Sequence, residues 1–432
     1  MNAEDWPVWL RQLGERATMP DFDRWRQMVA SAGGCTHPIR LVGQSSTVDT
    51  ATGEILSSYD TRDEPTGYIL TACGNRRMSR CEPCARVYAD DTFHLIRSGL
   101  AGGRDVPESV ATHPRVFATF TAPTFGPVHS RVDTRPCHPR ATGPSCRLRH
   151  SENDPVLGQP IDPGTYDYPG AILWNNHAGK LWHVFTVYLR RHLAELLGVP
   201  RSKLSSYLRV EYAKVAEYQS RGLVHFHAVI RLDGPGGPTD PPPLDTEALT
   251  DAISAAARAA RVSLPDRTLR WGKQLDIRPI SSGSGWSDQQ VARYIAKYAT
   301  KGAEAAGTIN RPLKTIKHLH RVRSLTPHAR RMIETCWSLA DTHPDRHLRD
   351  WAHMLGYGGH FSTKSRHYST TLGAMRTDRA RHRADEAREY NGLPPLPTDA
   401  DRIGSWHVLG TGYRTTAEET WAETIREQKH RG

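Results

Sequence analysis

The chain has 432 residues, 38% of them hydrophobic, with 57 Lys and Arg against 46 Asp and Glu and a formal net charge of +11. That length suggests two or three domains. No run of about 18 apolar residues offers a membrane span, and the acidic opening MNAEDWPVW lacks the apolar stretch of a secretory signal, so a cytoplasmic protein with no membrane partner is expected. The basic balance favours a polyanionic partner, although an Arg-rich composition from a GC-rich genome gives the same charge.

In chain order, residues 1–34 are amphipathic around Trp6, Trp9, Leu10, Trp25 and Met28, which predicts one or two short helices. Residues 35–85 carry four cysteines with a polar, strand-like stretch between them, and a helix over 86–101 ends at Gly102-Gly103. RVFATFTAP, residues 115–123, alternates like a strand. Residues 126–170, rich in Pro, Gly, Arg and His, look like a long insertion, and a helix follows over 181–198. YAKVAEYQ and LVHFHAVIRL, joined by Ser220-Arg221-Gly222, read as a β-hairpin. After a Pro/Gly loop at 233–243 come an Ala-rich helix over 245–262, a strand at 274–280 and a helix over 287–304 with Ser287 as N-cap. The remainder is basic and rich in Arg and His, ending in a solvated helix and a flexible tail over 376–432.

Side chains two apart on a strand share a face, so His225 and His227 project together while Phe226 points to the core. Two imidazoles on one face can bind one divalent ion. Glu217 lies across the turn; a turn centred on Arg221 makes it the cross-strand partner of His225 and the best third ligand, with Glu211 the weaker choice. On its own the pattern fits two surface histidines on a half-exposed strand better than a metal site. Tyr294 and Tyr298 are one helical turn apart, each followed by a lysine, Lys297 and Lys301. A phenol is a poor nucleophile at neutral pH, but a nearby cation or a polarised phosphate makes its attack feasible. Taken alone, this helix fits buried tyrosines beside snorkelling lysines.

FATFTAP, the His-Phe-His strand and YIAKYATK, in that order, resemble the three motifs of HUH endonucleases. More closely, CGNRRMSRCEPCA, TAPTFGPVH, YDYPGAILWN, VAEYQSRGLVHFHAVIRLDGP, RYIAKYATKG and GHFSTKSRHYSTT are similar to the replication initiators of actinobacterial rolling-circle plasmids and integrative elements. The resemblance implies an α+β fold: a central antiparallel sheet with flanking helices, an N-terminal zinc-binding module and a basic helical C-terminal region. It implies a nickase in which Mg²⁺ or Mn²⁺ sits on His225, His227 and Glu217. Tyr294 or Tyr298 would attack a phosphodiester at an origin, leaving a 5′-phosphotyrosine and a 3′-OH primer. No GxxxxGK[ST] occurs, so a host helicase would unwind the duplex and a host polymerase would extend the primer. A rolling-circle transposase or conjugative relaxase would share this core. A zinc-containing DNA-binding protein without catalysis is the other class of reading.

Cys73, Cys81 and Cys84, with Cys35 as fourth ligand and His37 in reserve, suit structural zinc, and seven cysteines in a cytoplasmic chain argue against a disulfide framework. Arg76, Arg77 and Arg80 beside them are candidates for duplex DNA. Cys137 and Cys146, with His138 and His150, suggest a second site. Relatives often carry a CxxC just before YDY, where this chain has Asp162 and Thr165, so the second site stays open. In GGHFSTKSRHYSTT, Lys364 and Arg366 are candidate phosphate contacts. The expected division is 1–105 for the zinc-binding DNA-recognition region, 106–305 for the nicking domain with an insertion at 126–170, and 306–432 for a basic DNA-contacting region.

Overall fold

The structure is a computed structural model that describes residues 6–281, 286–309, 311–390, 392–397 and 399–431. It falls into two compact units, Met1–Asp91 with Thr371–Gly432, and Thr92–Thr370.

The chain opens with helices α1 (Val8–Ala17) and α2 (Phe22–Ser31), strands β1 (Ile39–Asp49), β2 (Ile55–Asp60) and β3 (Ile69–Thr71), and α3 (Glu82–Ala101), within which the boundary between the units falls. The second unit continues with β4 (Arg115–Phe120), α4 (Tyr168–Leu196), β5 (Arg209–Tyr218), β6 (Val224–Asp233), α5 (Thr246–Ala259), β7 (Arg261–Ser263), β8 (Thr268–Arg270), β9 (Leu275–Pro279), α6 (Asp288–Ala299), α7 (Pro327–Leu339) and β10 (Ser362–Lys364). The first unit is completed by α8 (Leu372–Tyr390), β11 (Ala400–Thr411) and α9 (Thr416–Arg431).

The first unit therefore joins the two ends of the chain. β11 lies antiparallel to β1 along its whole length, from Ile39 opposite Thr411 to Asp49 opposite Ala400. β2 and β3 pair with β1 as well. Ala417 and Ala422 of α9 pack into one apolar cluster with Trp25, Met28, Val29 and Leu70. This corrects two expectations. The tail is a strand and a helix, because its backbone groups are taken up by the β1 ladder and α9 has an apolar stripe to bury. The contact boundaries lie at 91 and 370, since pairing between distant strands leaves no local signature.

The second unit is built on an antiparallel sheet in the order β10-β5-β6-β4-β9. One face buries Phe120 and Phe226 beneath Trp182 and Phe185 of α4. α4 begins at Tyr168, well before the expected 181, because Asp167 caps it by accepting from Gly170 N–H and Pro169 fits the first turn. The fully buried Asn175 of α4 donates to the carbonyls of Gly222 and Leu355 and accepts from Val224 N–H, locking the β5–β6 turn. The other face carries Glu217, His225 and His227, and α6 lies against it. Ser287 and Gln290 form a complete capping box at the α6 start, and buried Arg115 of β4 ion-pairs with Asp288 at 2.9 Å. No helix among the described residues is long and apolar enough to cross a membrane.

Candidate active site

Glu217 stands opposite His225 in the β5–β6 ladder, and Val215 stands opposite His227. The alternation of the strands puts Glu217, His225 and His227 on one face. Both imidazoles reach the same carboxylate oxygen: His225 Nε2 is 2.8 Å and His227 Nε2 3.1 Å from Glu217 Oε2. One ligand atom from each residue lies within 4.8 Å of the others. Lys301 Nζ donates to the second oxygen, Oε1, at 2.9 Å.

Burial pushes the Glu217 carboxyl up, but hydrogen bonds from His225, His227 and Lys301 outweigh it and hold the group down at about 2. Burial also lowers His227 against the pull of Glu217, favouring the neutral ring a metal ligand must present. Thr119 Oγ1 lies 3.0 Å from His227 Nδ1. With Nδ1–H donating to that hydroxyl, Nε2 is left as the donor atom for an ion. One carboxylate oxygen and two imidazole nitrogens converging on one point could hold a divalent ion.

α6 brings both tyrosines to this cluster. The Tyr294 and Tyr298 rings lie 5.0 and 5.3 Å from the His227 ring and 4.5 Å from each other. Both lysines stand over Tyr298, Lys301 Nζ at 4.3 Å and Lys297 Nζ at 5.9 Å from its ring centre. Tyr294 is instead boxed by Phe117 and Trp286, and burial, together with its hydrogen bond to Tyr298, pushes its phenol well above the ordinary value. Sequence reasoning missed Trp286, which stacks on Phe117 with the Arg278 guanidinium 5.2 Å above it. An aromatic before a helix cap carries no local signal of that partnership. Glu211, the weaker ligand candidate, is four register positions away from Val215 and accepts from Ser365 Oγ at 2.5 Å.

In the first unit, Cys35, Cys73, Cys81 and Cys84 converge as expected. Cys73 Sγ is 3.6 Å from Cys84 Sγ, and Cys81 Sγ is 3.7 Å from Cys35 Sγ. Tetrahedral zinc with bonds of about 2.3 Å sets sulfurs about 3.8 Å apart, so this cluster can hold structural zinc. The hydrogen bond from Cys84 lowers the Cys35 thiol despite its burial, while that same contact raises Cys84 and burial raises Cys73, so Cys35 is the first of these three to become a thiolate. His37 is not part of the set; its Nδ1 pairs with Thr36 Oγ1 at 2.8 Å. Arg76 and Arg77 are half-buried and Arg80 is exposed.

Lys364 lies in β10 at the edge of the site sheet, and its ammonium donates to the carbonyls of Ser365, Arg366 and Ser369 at 3.3, 3.3 and 2.8 Å. That arrangement clamps its own loop, while Arg366 is exposed. Tyr368, in the same stretch, is fully buried and donates to Ile96 O.

The chain matches the model of the family described as "Replication initiator protein, pSAM2" over residues 21–427. It is 48% identical over 437 residues to a protein of Streptomyces ambofaciens described as a replication initiator protein, an alignment covering 97% of this chain and 93% of that one. No solved structure matches.

Proposed function

As the chain belongs to the family of pSAM2 replication initiator proteins, we propose that it initiates rolling-circle replication by nicking one strand of an origin with a tyrosine nucleophile. The observation that carries this reading is the convergence of Glu217, His225 and His227 under two tyrosines. A divalent ion bound there would polarise the scissile phosphodiester. Glu217 Oε2, His225 Nε2 and His227 Nε2 would hold it. Lys301 keeps the other Glu217 oxygen occupied, and Thr119 sets the His227 tautomer.

Tyr298 makes the first attack, because both lysine ammonium groups stand over its ring. Its oxygen bonds to phosphorus, the bond to the 3′ oxygen breaks, the phenolic proton is released and the departing oxygen is protonated. The chain is then joined to the 5′-phosphate, and the free 3′-OH serves as primer for a host polymerase. Tyr294 would make a second cleavage after one round. Trp286 and Arg278 offer an aromatic face and a cation for unpaired bases beside the nick. Zinc held by Cys35, Cys73, Cys81 and Cys84 would brace the first unit, whose Arg76, Arg77 and Arg80 would meet duplex DNA; Arg366 would contact phosphate at the nick. A host helicase would open the duplex. Conjugative relaxases and rolling-circle transposases would use the same centre, and family membership favours replication.

The test is incubation with single-stranded origin DNA and Mn²⁺, followed by a denaturing gel. A covalent protein–DNA band that disappears in the Tyr294→Phe/Tyr298→Phe double variant is expected. No band from the unaltered protein, or an undiminished one from the double variant, overturns the reading.

A further inference from the structure

Between β4 and α4 the chain runs through a long segment with few apolar side chains and only isolated bridges, Val128 with Pro160 and His138 with Cys146. Such a segment cannot bury a core of its own. Four donors nevertheless meet in it. His129, Cys137, Cys146 and His150 each bring a ligand atom within 4.8 Å of the others. We propose that these four residues form a second structural zinc site, of Cys₂His₂ type, separate from both the cysteine cluster and the tyrosine site.

The spacing fits the ion. Tetrahedral zinc with bonds of about 2.0–2.3 Å sets its ligands about 3.3–3.8 Å apart. Here His129 Nδ1 is 3.2 Å and Cys146 Sγ 3.4 Å from His150 Nε2. The surroundings fit as well. The far nitrogen of His150, Nδ1, lies 2.7 Å from Asp154 Oδ2, and Asp154 is itself fixed by Val156 N–H. A carboxylate behind a ligating imidazole sets its tautomer and strengthens it as a donor. Ser130 N–H points at Cys137 Sγ from 3.1 Å, which favours a thiolate. Both cysteines are free thiols and buried. Of the two histidines that the sequence offers, His150 is in the set and His138 is not; the backbone of His138 closes the small hairpin with Cys146. His129, near the start of the segment, takes its place.

This site also reaches the catalytic hairpin. His129 O accepts from Gly158 N–H and His129 N–H donates to Gln159 O, both at 2.8 Å. Gly158 has φ of +83°, and a Cβ there would lie 2.3 Å from the carbonyl carbon of Ser220, within the β5–β6 turn. Arg221 of that turn donates to the carbonyls of Ala122 and Pro123, at the start of the segment. The zinc-stapled segment thus supports the turn that sets Glu217 opposite His225.

The experiment is zinc counting on the purified full chain after dialysis against EDTA, by inductively coupled plasma mass spectrometry. Two zinc atoms per chain are expected. One fewer is expected in the Cys137→Ser/Cys146→Ser variant and in His129→Ala, with the four-cysteine zinc retained. A single zinc in the unaltered chain, an unchanged count in those variants, or a Cys137–Cys146 disulfide in the purified protein overturns the proposal. Should the variants fail to fold, zinc X-ray absorption on the unaltered chain decides. An average of three sulfurs and one nitrogen per zinc supports two sites, and four sulfurs refutes the second.

Discussion

Glu217 and His225 face each other across one rung of the β5–β6 ladder, with His225 Nε2 2.8 Å from Glu217 Oε2. The same oxygen takes His227, so one carboxylate gathers both imidazoles. Replacing Glu217 with Ala should cut Mn²⁺-dependent adduct formation by roughly 100-fold or more, the scale of losing an electrostatic stabiliser of a developing charge. The assay is the initial rate of adduct formation across a Mn²⁺ titration. A rate within threefold of the unaltered protein would remove Glu217 from the site.

The two tyrosines should not be equivalent. Tyr298→Phe is expected to abolish the first cleavage, whereas Tyr294→Phe should leave it nearly intact and block strand transfer. Peptide mapping of the adduct by mass spectrometry reads this directly. First-round attachment at Tyr294 would reverse the assignment.

Thr119→Val keeps the shape of the strand and removes the partner of His227 Nδ1. A ligand freed from such a partner typically loses about 10–100-fold in metal affinity. Calorimetric titration with Mn²⁺ should show that loss with little change in melting temperature. Unchanged affinity would mean that packing alone orients the ring.

Lys214 makes a prediction about pH. It points away from the tyrosine site, with its ammonium 4.0 Å from the Phe226 ring centre, and burial lowers it from 10.5 to about 8. Below pH 8 the group is charged whether folded or unfolded, and the folded state carries the full desolvation penalty. Between about 8 and 10.5 the unfolded chain keeps a proton that the folded chain has released, so this group makes stability rise with pH. Lys214→Met should therefore stabilise the larger unit at pH 7 by up to about 3 kcal/mol, and the gain should vanish by pH 11. Thermal melts at several pH values decide, and a variant less stable than the parent at pH 7 would refute the argument.

Asn175→Ala should destabilise the same unit by several kcal/mol, since it orphans three buried backbone groups at about 1–3 kcal/mol each. Denaturant unfolding measures it, and a change under about 1 kcal/mol would mean that water replaces the amide.

The site was legible because its parts are local. A period of two aligns His225 with His227, a short turn carries Glu217 across to them, and a period of four stacks Tyr294 on Tyr298. Ser287 announces the helix that carries them. What escaped was non-local. Nothing in DRIGSWHVLGT names its partner strand near the N-terminus, and His129 joins Cys137, Cys146 and His150 only after the segment folds back on Gly158. Lys364 reads as a phosphate contact because a sequence shows its charge, not the three carbonyls around its ammonium.

The pairing of β1 with β11 has a consequence for synthesis. On the ribosome the first unit emerges early but lacks the strand that completes its sheet. The tyrosine-bearing unit is translated in full before that strand exists. Until residues 400–411 are made, the edge of β1 that β11 occupies stays unpaired. A message cut short before codon 400 would then yield the whole of Thr92–Thr370 together with a first unit whose β1 lacks that partner.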